Sequence, residues 1–269
     1  MKNYLYRIFL ILPHMFSRSV VFCFIIYYTL YGQGDLEKGI DYYNNRQDGS
    51  TKSTAVITPI NNAISSLTKA LNNPNTEAQA ALYLMKSYYF RGKYVHDDIE
   101  NKKVDFNNGK KLGEKYINQY PDSAAFRFWY LVNLGSWAEE YGVISAAREG
   151  VADLMRKHSK KIISLDPEFE NGGGYFMLGV VHYKSPYIPF ILSWPDNDKA
   201  ISYLSKSINI GEAIPNQKVY FAQALYKDGK KNEAIKLLEE VANMQPSMDE
   251  RVRDWDQIDT AKQLLKDYK

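Results

Sequence analysis

The residues of this chain that could do chemistry are few, and their spacing does not assemble an active site. The three histidines beyond the first 34 residues are His96, His158 and His182. A zinc site needs three or four converging ligands, and the one cysteine of the chain, Cys23, lies in the N-terminal segment. We interpret the His-Asp-Asp sequence at 96–98 as a solvated loop rather than as a weak metal site. No metal and no cofactor are therefore expected.

Sequence motifs for catalysis are also missing. The chain contains no phosphate-binding G-x-x-x-x-G-K-[S/T], no G-x-S-x-G and no H-E-x-x-H. The carboxylates at 139–140 and at 239–240 are adjacent in sequence, so on a helix the two members of each pair project about 100° apart. We interpret both pairs as solvated helix surface. The sequence therefore favours a protein that is not an enzyme.

Two short segments could bind an anion. Residues 172–174 are three consecutive glycines, and free N–H groups at the start of a helix attract anions. Close packing of neighbouring helices is the alternative, which we favour because no G-x-G-x-x-G follows a strand here. Residues 156–161 (Arg-Lys-His-Ser-Lys-Lys) are the densest basic cluster. We expect this cluster on a solvated helix face, where cations complement the helix C-terminus.

The N-terminal segment carries the whole net charge of the chain. The 269 residues include 34 Lys+Arg and 31 Asp+Glu, and residues 1–34 hold three of these cations and no acid. The remainder, residues 35–269, is formally neutral, so no nucleic-acid partner is expected. A basic stretch, an apolar run at 20–30 and a small-residue exit are typical of a signal peptide. We expect export to the periplasm or cell envelope; an uncleaved N-terminal anchor is the alternative, and membrane association is expected only in that case.

Residues 35–269 are predicted to be all-α and to form one domain, because apolar residues recur at three- and four-residue spacing. The segment 219–246 resembles a tetratricopeptide repeat (TPR), a helix pair of about 34 residues. Ala222 and Ala234 occupy the small positions of its two helices, and Gly229 occupies the turn. Small residues at a helix crossing allow two antiparallel helices to approach closely.

The same pattern recurs upstream with insertions. First helices are predicted at 35–47 and 84–92 and from 134 and 178 onward, and a second helix follows each of them. Residues 248–268 form a last amphipathic helix, suited to cap the open end of the stack. The prediction is a TPR-like α-solenoid of about four to five helix pairs with a C-terminal capping helix.

Two segments resemble a known family. Residues 128–142 read FWYLVNLGSWAEEYG, and residues 172–186 contain GGGYFMLG followed by Tyr183 and Pro186. Together they resemble the T-component (TatT) family, periplasmic helical-repeat proteins associated with TRAP-type solute transporters. The resemblance implies a partner role in solute uptake, with a periplasmic solute-binding protein as partner, and it admits a homo-oligomer. A cell-envelope assembly adaptor unrelated to transport remains the other function in view.

Aromatic residues are the candidate binding residues, because a helical-repeat protein binds along the concave surface that its first helices form. Four of them share one predicted helix, one opens the next first helix, and two belong to the apolar loop 187–195. The candidates are Trp129, Tyr130, Trp137, Tyr141, Tyr175, Phe190 and Trp194. We expect this surface to bind a partner protein or a small hydrophobic ligand. For the loop, a lid, an interface and a filling of its own repeat's core are all consistent with its composition.

Overall fold

The computed structural model describes residues 33–188, 190 and 192–268. Regular structure in these residues is helical, apart from two isolated β-bridges, which confirms the all-α prediction. The leader predicted at 1–34 lies almost wholly outside the described residues. None of the described helices combines the length and the apolar character that crossing a membrane requires.

Twelve helices follow one another along the described chain. They are α1 (residues 33–44), α2 (Ile57–Ala70), α3 (Glu77–Tyr94), α4 (Ile99–Gln119), α5 (Ala124–Tyr141), α6 (Val143–Arg148), α7 (Val151–Leu165), α8 (Phe169–Lys184), α9 (Asn197–Ile208), α10 (Pro215–Lys227), α11 (Lys231–Ala242) and α12 (Arg251–Tyr268). Five antiparallel pairs result: α1–α2, α3–α4, α5–α7, α8–α9 and α10–α11. The short α6 lies in the connection of the third pair. The predicted solenoid is confirmed, with five pairs in the described residues.

Polar side chains at the N-cap position stabilise the first turn of several of these helices. Asp98 accepts a hydrogen bond from the backbone N–H of Asn101 at 2.8 Å and so caps the N-terminus of α4. Asp196 caps α9 in the same way, through the N–H of Lys199 at 2.9 Å. Such side chains satisfy N–H groups that have no partner within the helix. The predicted loop at 96–98 therefore ends in a helix cap.

Close approach at a small residue joins the two helices of a pair. A Cβ atom built on Gly39 would lie 2.6 Å from Cγ of Leu67, and one built on Gly179 would lie 2.6 Å from Cγ of Leu204. In the last pair, Ala222 takes the same role and is fully buried. The repeated contact shows that the pairs are related units, although their sequences have diverged.

The three glycines at the start of α8 are packing residues. A Cβ on Gly173 would lie 2.6 Å from the Phe128 ring, and one on Gly174 would lie 2.9 Å from Cγ1 of Ile163. Gly172 has a φ of +77°, which favours glycine, and its position faces the backbone of Ser207. All three are buried. The close-packing interpretation of residues 172–174 is therefore correct.

The C-terminal helix does more than cap the last pair. Helix α12 packs on α10 and α11, as expected of a cap. Its fully buried Val252, however, belongs to the core of the first two pairs, together with Leu36, Ile60 and Leu84. Helix α12 therefore connects the last repeat to the first.

Candidate functional site

A partly buried polar contact joins the two ends of the solenoid; we call it the terminal contact. The Nη2 atom of Arg46, in the turn after α1, lies 2.7 Å from Oε1 of Glu250, just before α12. The side-chain oxygen of Gln47 accepts a hydrogen bond from the backbone N–H of Val252 at 2.8 Å. Arg251 donates to the backbone carbonyl of Gln47. Arg46 and Gln47 are each only 5% exposed, so the N-terminal side of the contact is buried, whereas Glu250 is partly exposed.

The terminal contact closes the concave side of the solenoid into a cavity of about 800 Å³. Its wall comes from the first helix of each pair (α3, α5, α8 and α10 and the end of α1) and from α12. The volume lies in the usual range for small-molecule sites, about 300–1,000 Å³. The repeat architecture therefore produces a concave site that is walled on several sides and partly open to solvent.

Aromatic side chains form much of the cavity wall. The aromatic lining residues are Tyr43, Tyr83, Tyr89, Phe90, Tyr94, Phe128, Trp129, Phe176 and Tyr220. Several are in ring contact with one another: the centroids of Tyr89 and Trp129 lie 6.0 Å apart, and those of Phe128 and Trp129 lie 5.7 Å apart. Edge-to-face and tilted contacts of this kind hold the rings in place. The aromatic part of the wall is thus preformed, and polar and charged side chains form the rest of it.

Three of the five cations on the wall form ion pairs with carboxylates. Besides the Arg46–Glu250 pair, Nζ of Lys93 lies 3.8 Å from Oδ2 of Asp256. The pKa of Lys93 is raised despite the opposing effect of burial, because Asp256 stabilises the ammonium form. Both pairs join α12 or the segment before it to the N-terminal repeats, and they therefore strengthen closure. The wall also carries further carboxylates, those of Asp48, Glu139, Glu170 and Asp249.

Lys86 is the exception among the cavity cations. It is half-buried on α3, and its Nζ atom lies 5.1 Å from the centroid of the Tyr83 ring and 5.3 Å from that of the Trp129 ring. The structure gives it no hydrogen bond and no ion pair with any described residue. Burial lowers the pKa of its ammonium group, and the Glu170 carboxylate only partly opposes this. The two flanking rings are its main stabilising contacts.

The wall at the start of α8 is conformationally strained. Glu170, Asn171 and Gly172 have φ angles of 50°, 52° and 77°, in the left-handed region. Gln217 on α10 holds this turn, since its Nε2 atom donates to the carbonyl oxygen of Asn171 at 2.8 Å. Strained backbone persists where surrounding structure fixes it, and it is common at binding sites.

Of the seven candidate aromatic residues, the structure places one, Trp129, on the cavity wall. Tyr130 and Trp137 share its helix but point into the core, where they are 3% and 4% exposed. Tyr141 is partly exposed and stacks on Trp137, with a centroid distance of 4.4 Å. Tyr175 is half-buried and has Nζ of Lys206 5.9 Å from its ring centroid.

The loop 187–195 divides its two candidates between solvent and core. Phe190 has a φ of 66° and is fully exposed. Trp194 is half-buried: its Nε1 atom donates to Oδ1 of Asp153 at 3.0 Å, and the guanidinium of Arg156 lies 4.2 Å from its ring centroid. The base of the loop thus packs against α7 of the preceding pair and against His182 of α8, while its tip projects outward. Neither residue reaches the cavity wall.

The basic cluster at 156–161 differs from the expected solvated face. Lys157 and Lys160 are exposed, but His158 is buried against Arg127, whose Nη1 atom lies 2.7 Å from Nδ1 of the imidazole. Burial, with the neighbouring Arg127 and Lys157 cations, lowers the pKa of His158 to about 4. Burial likewise lowers the pKa of His182 to about 4. The expected solvated face does not include His158, because this residue lies on the inner side of an amphipathic helix, whereas Lys157 and Lys160 face water.

Lys86 and Glu170 line the cavity, and no motif in the sequence indicated either of them. A signal for Lys86 does exist in the sequence, because it is the only charged residue between positions 78 and 90, a largely apolar first helix. A lone lysine in such a helix either extends to solvent along its apolar stem or faces a polar cavity. Spacing alone does not distinguish the two. In the described part of the chain, no group of three or more His, Cys, Asp or Glu residues could hold a metal ion.

Comparison with known proteins identifies the fold. No protein-family model matches the chain, and no curated protein sequence matches it. Among solved structures, the chain is similar to TTC0263, a thermophilic TPR protein of Thermus thermophilus. That match has a TM-score of 0.57 at 13% sequence identity, and it covers 86% of this chain and 99% of the other. At this identity the similarity establishes a TPR-like fold and leaves the function to be argued from the site.

Proposed function

We propose that this chain is a non-enzymatic binding module that holds a small ligand with an apolar body in its central cavity. The observation that carries the proposal is closure. The terminal contact turns the concave face of a TPR-like solenoid into a cavity of about 800 Å³ with an aromatic wall. Fixed aromatic rings along a concave volume are suited to binding by burial of apolar surface, at about 25 cal/mol per Å².

Trp129 is expected to be the main contact of the ligand on the cavity wall. Trp129 contacts Tyr89 on α3 and Phe128 on α5, so its indole ring lies where the two central first helices meet. Glu170, in the strained turn at the start of α8, lines the same cavity. A preformed wall of this kind costs little conformational entropy on binding.

We further propose that the protein is exported and acts as the T component of a TRAP-type solute transporter, with a periplasmic solute-binding protein as partner. The support is the resemblance of segments 128–142 and 172–186 to that family, together with the basic and apolar pattern of residues 1–34. In this role the cavity would receive the transported solute or an apolar compound that accompanies it. A homo-oligomer is compatible with this role.

One observation favours the second candidate, a cell-envelope adaptor that binds a protein unrelated to transport. Tyr187 is 63% exposed, and Phe190 at the tip of the same loop is fully exposed. Exposed aromatic side chains commonly anchor protein–protein contacts. An adaptor would use this loop, and its cavity would be incidental to function.

Fluorescence of the apolar probe N-phenyl-1-naphthylamine tests the cavity proposal. The wild-type protein is expected to bind this probe, and Trp129→Leu is expected to weaken binding at least about tenfold, because the ring stacks against the probe. Trp255→Leu is the matched control, since Trp255 does not line the cavity, and less than about a twofold change is expected. A wild-type protein that does not bind the probe overturns the proposal.

Purification from native periplasm tests the partner. Recovery of a solute-binding protein with the wild-type chain, and also with Phe190→Ser, supports the transporter role. Loss of the partner in Phe190→Ser, with a partner unrelated to transport, supports the adaptor. Mass spectrometry of the same preparation reads the N-terminus, which is expected near Gly34 if the leader is cleaved. An intact N-terminus in the membrane fraction would instead support the anchor.

A further inference from the structure

We propose that the cavity selects an organic anion, and that the ammonium group of Lys86 pairs with the charged head of the ligand. This inference rests on the proposed function, because it names the chemistry of the ligand that the cavity holds. The inference follows from Lys86, the one cation on the wall that forms neither an ion pair nor a hydrogen bond with a described residue.

The other cations of the wall are already engaged. Arg46 pairs with Glu250, and Lys93 pairs with Asp256. Arg251 donates from Nε to the hydroxyl of Ser50 at 3.0 Å as well as to a backbone carbonyl. Arg253 is engaged with Asp254 and Glu250. Among the described cavity cations, Lys86 alone lacks both an ion pair and a hydrogen bond.

The position of Lys86 makes this missing partner costly. Removing an ammonium group from water is unfavourable unless a counter-charge or hydrogen-bond acceptors replace the water. Tyr83 and Trp129 supply ring faces at 5.1 Å and 5.3 Å, which compensate in part. A ligand anion that contacts Nζ would supply the rest. Binding energy is therefore available at this atom that no described residue uses.

Three charged groups on neighbouring elements act on the ammonium group of Lys86. Glu170 on α8 and Glu250 before α12 favour its charged form, and Arg46 disfavours it. Glu250 is committed to Arg46 at 2.7 Å. Glu170 forms no ion pair with Lys86 within 4.0 Å and is exposed, so water screens its field. Neither carboxylate occupies the position of a ligand head.

The surroundings of Lys86 also determine the rest of the ligand. Trp129 connects the ammonium group to Phe128 and Tyr89, and Phe176 and Val180 continue the apolar wall on α8. A ligand whose head contacts Nζ therefore extends its body over aromatic rings. The matching chemical class is an amphiphilic monoanion, a carboxylate or sulfonate on an apolar or aromatic body.

A pair of fluorescent probes tests the inference directly. 1-Anilinonaphthalene-8-sulfonate carries an anionic head, and N-phenyl-1-naphthylamine has the same ring system without it. In Lys86→Met, the sulfonate probe is expected to bind about ten- to a hundredfold more weakly, as for loss of one charge-assisted hydrogen bond. The neutral probe is expected to change by less than about threefold. Lys86→Arg, which keeps the charge, is expected to retain most of the sulfonate affinity.

Two further variants are controls for charge and for folding. Lys69→Met removes an exposed cation of α2 that does not line the cavity, and it is expected to change the sulfonate affinity by less than about threefold. Glu170→Gln removes the exposed carboxylate, and sulfonate binding is expected to be unchanged or tighter. Circular dichroism and thermal melts confirm that each variant is folded, since sulfonate probes also bind partly unfolded chains.

The outcomes separate the two proposals. Equal weakening of both probes in Lys86→Met would show that Lys86 only shapes the wall, and it would overturn the anion inference while leaving the cavity proposal intact. Weaker sulfonate binding in Glu170→Gln would also overturn the inference, because the Glu170 carboxylate would then assist binding of the probe instead of repelling its anionic head. Failure of the wild-type protein to bind either probe overturns the proposed function itself.

Discussion

The guanidinium of Arg46 and the carboxylate of Glu250 lie 2.7 Å apart although 204 positions separate them in the chain. In a typical helical-repeat protein each repeat contacts only its neighbours, so the two ends behave independently. Here the ends are in contact, and the guanidinium of Arg46 is buried while the carboxylate of Glu250 is partly exposed. Unfolding of the first repeat therefore removes support from the last helix, and the cavity depends on both.

Glu250→Gln is expected to destabilise the protein by about 2 kcal/mol, because it leaves a buried guanidinium without its counter-charge. Amide hydrogen exchange of α12 should accelerate more than that of α4. Glu240→Gln removes a partly exposed partner of Lys218 and is the control, with an expected loss below about 0.5 kcal/mol. If Glu250→Gln and Glu240→Gln lower the free energy of unfolding in urea by the same amount, the terminal contact contributes no more to stability than a surface ion pair.

Gly172→Ala is expected to cost more stability than Gly150→Ala. Both glycines have a left-handed backbone, with φ and ψ of 77° and 27° at Gly172 and of 64° and 31° at Gly150, so both substitutions carry a backbone penalty of about 1 kcal/mol. A Cβ on Gly172 would also lie 3.2 Å from backbone atoms of Ser207, whereas a Cβ on Gly150 meets nothing within 4 Å. Thermal melts of the two variants compare the effects. A smaller loss for Gly172→Ala would contradict the close packing of α8 on α9.

Gly109 and Asn133 are expected to show strong energetic coupling. Asn133 is fully buried, and its Nδ2 atom donates to the carbonyl oxygens of Met85 at 3.1 Å and Trp129 at 2.8 Å. A Cβ on Gly109 would overlap the Asn133 side chain. Gly109→Ala should therefore cost about 2 kcal/mol, and combination with Asn133→Ala should cost at least about 1 kcal/mol less than the sum of the two.

The matched control for this coupling is Gly109→Ala combined with Gly179→Ala. A Cβ on Gly179 meets Leu204, in a different repeat. These two substitutions share no partner, so their costs should add within about 0.5 kcal/mol. Chemical denaturation of the single and double variants provides the four values of each cycle. Additivity of Gly109→Ala with Asn133→Ala would mean that Asn133 can move aside freely.

Stability is expected to fall as the pH decreases from about 6.5 toward 4. The pKa of His158 and that of His182 are about 4 in the folded protein, below the ordinary value of 6.5. Between these values the unfolded chain binds more protons, so protonation favours unfolding, by about 1–2 kcal/mol per histidine at pH 5. Urea midpoints at pH 7 and pH 5 measure the loss. His158→Gln and His182→Gln should each reduce it, and an unchanged loss in both would assign it to other groups.

The sequence was informative where residues three or four apart decide the structure. The apolar spacing predicted the helices, and the small residues Ala222 and Ala234 predicted the pairing that Gly39 and Gly179 repeat in other pairs. The glycines at 172–174 were correctly interpreted as packing residues. These features can be recognised locally. Residues three or four apart lie on the same face of a helix, and one small side chain is enough for two helices to cross closely.

The site was less accessible to sequence reasoning. Aromatic residues at helical spacing suit a core and a binding wall equally well, and the structure placed Trp129 on the wall but Tyr130 and Trp137 in the core. Lys86 stood out as a lone charge in an apolar helix, yet its environment depends on Tyr83 and on Trp129, 43 positions away. Burial of one helix face is decided by the elements that pack around it.

By itself the sequence determined the helical class, the repeat unit and the order of the pairs, because each depends on contacts within about 40 residues. The tertiary structure decided that the stack closes through Arg46 and Glu250, and that one lysine is left unpaired on the wall. Closure results from the sum of small rotations between successive pairs, and no single pair encodes that sum. The unpaired charge of Lys86 likewise depends on packing, because the rings of Tyr83 and Trp129 replace part of its water without supplying a counter-charge.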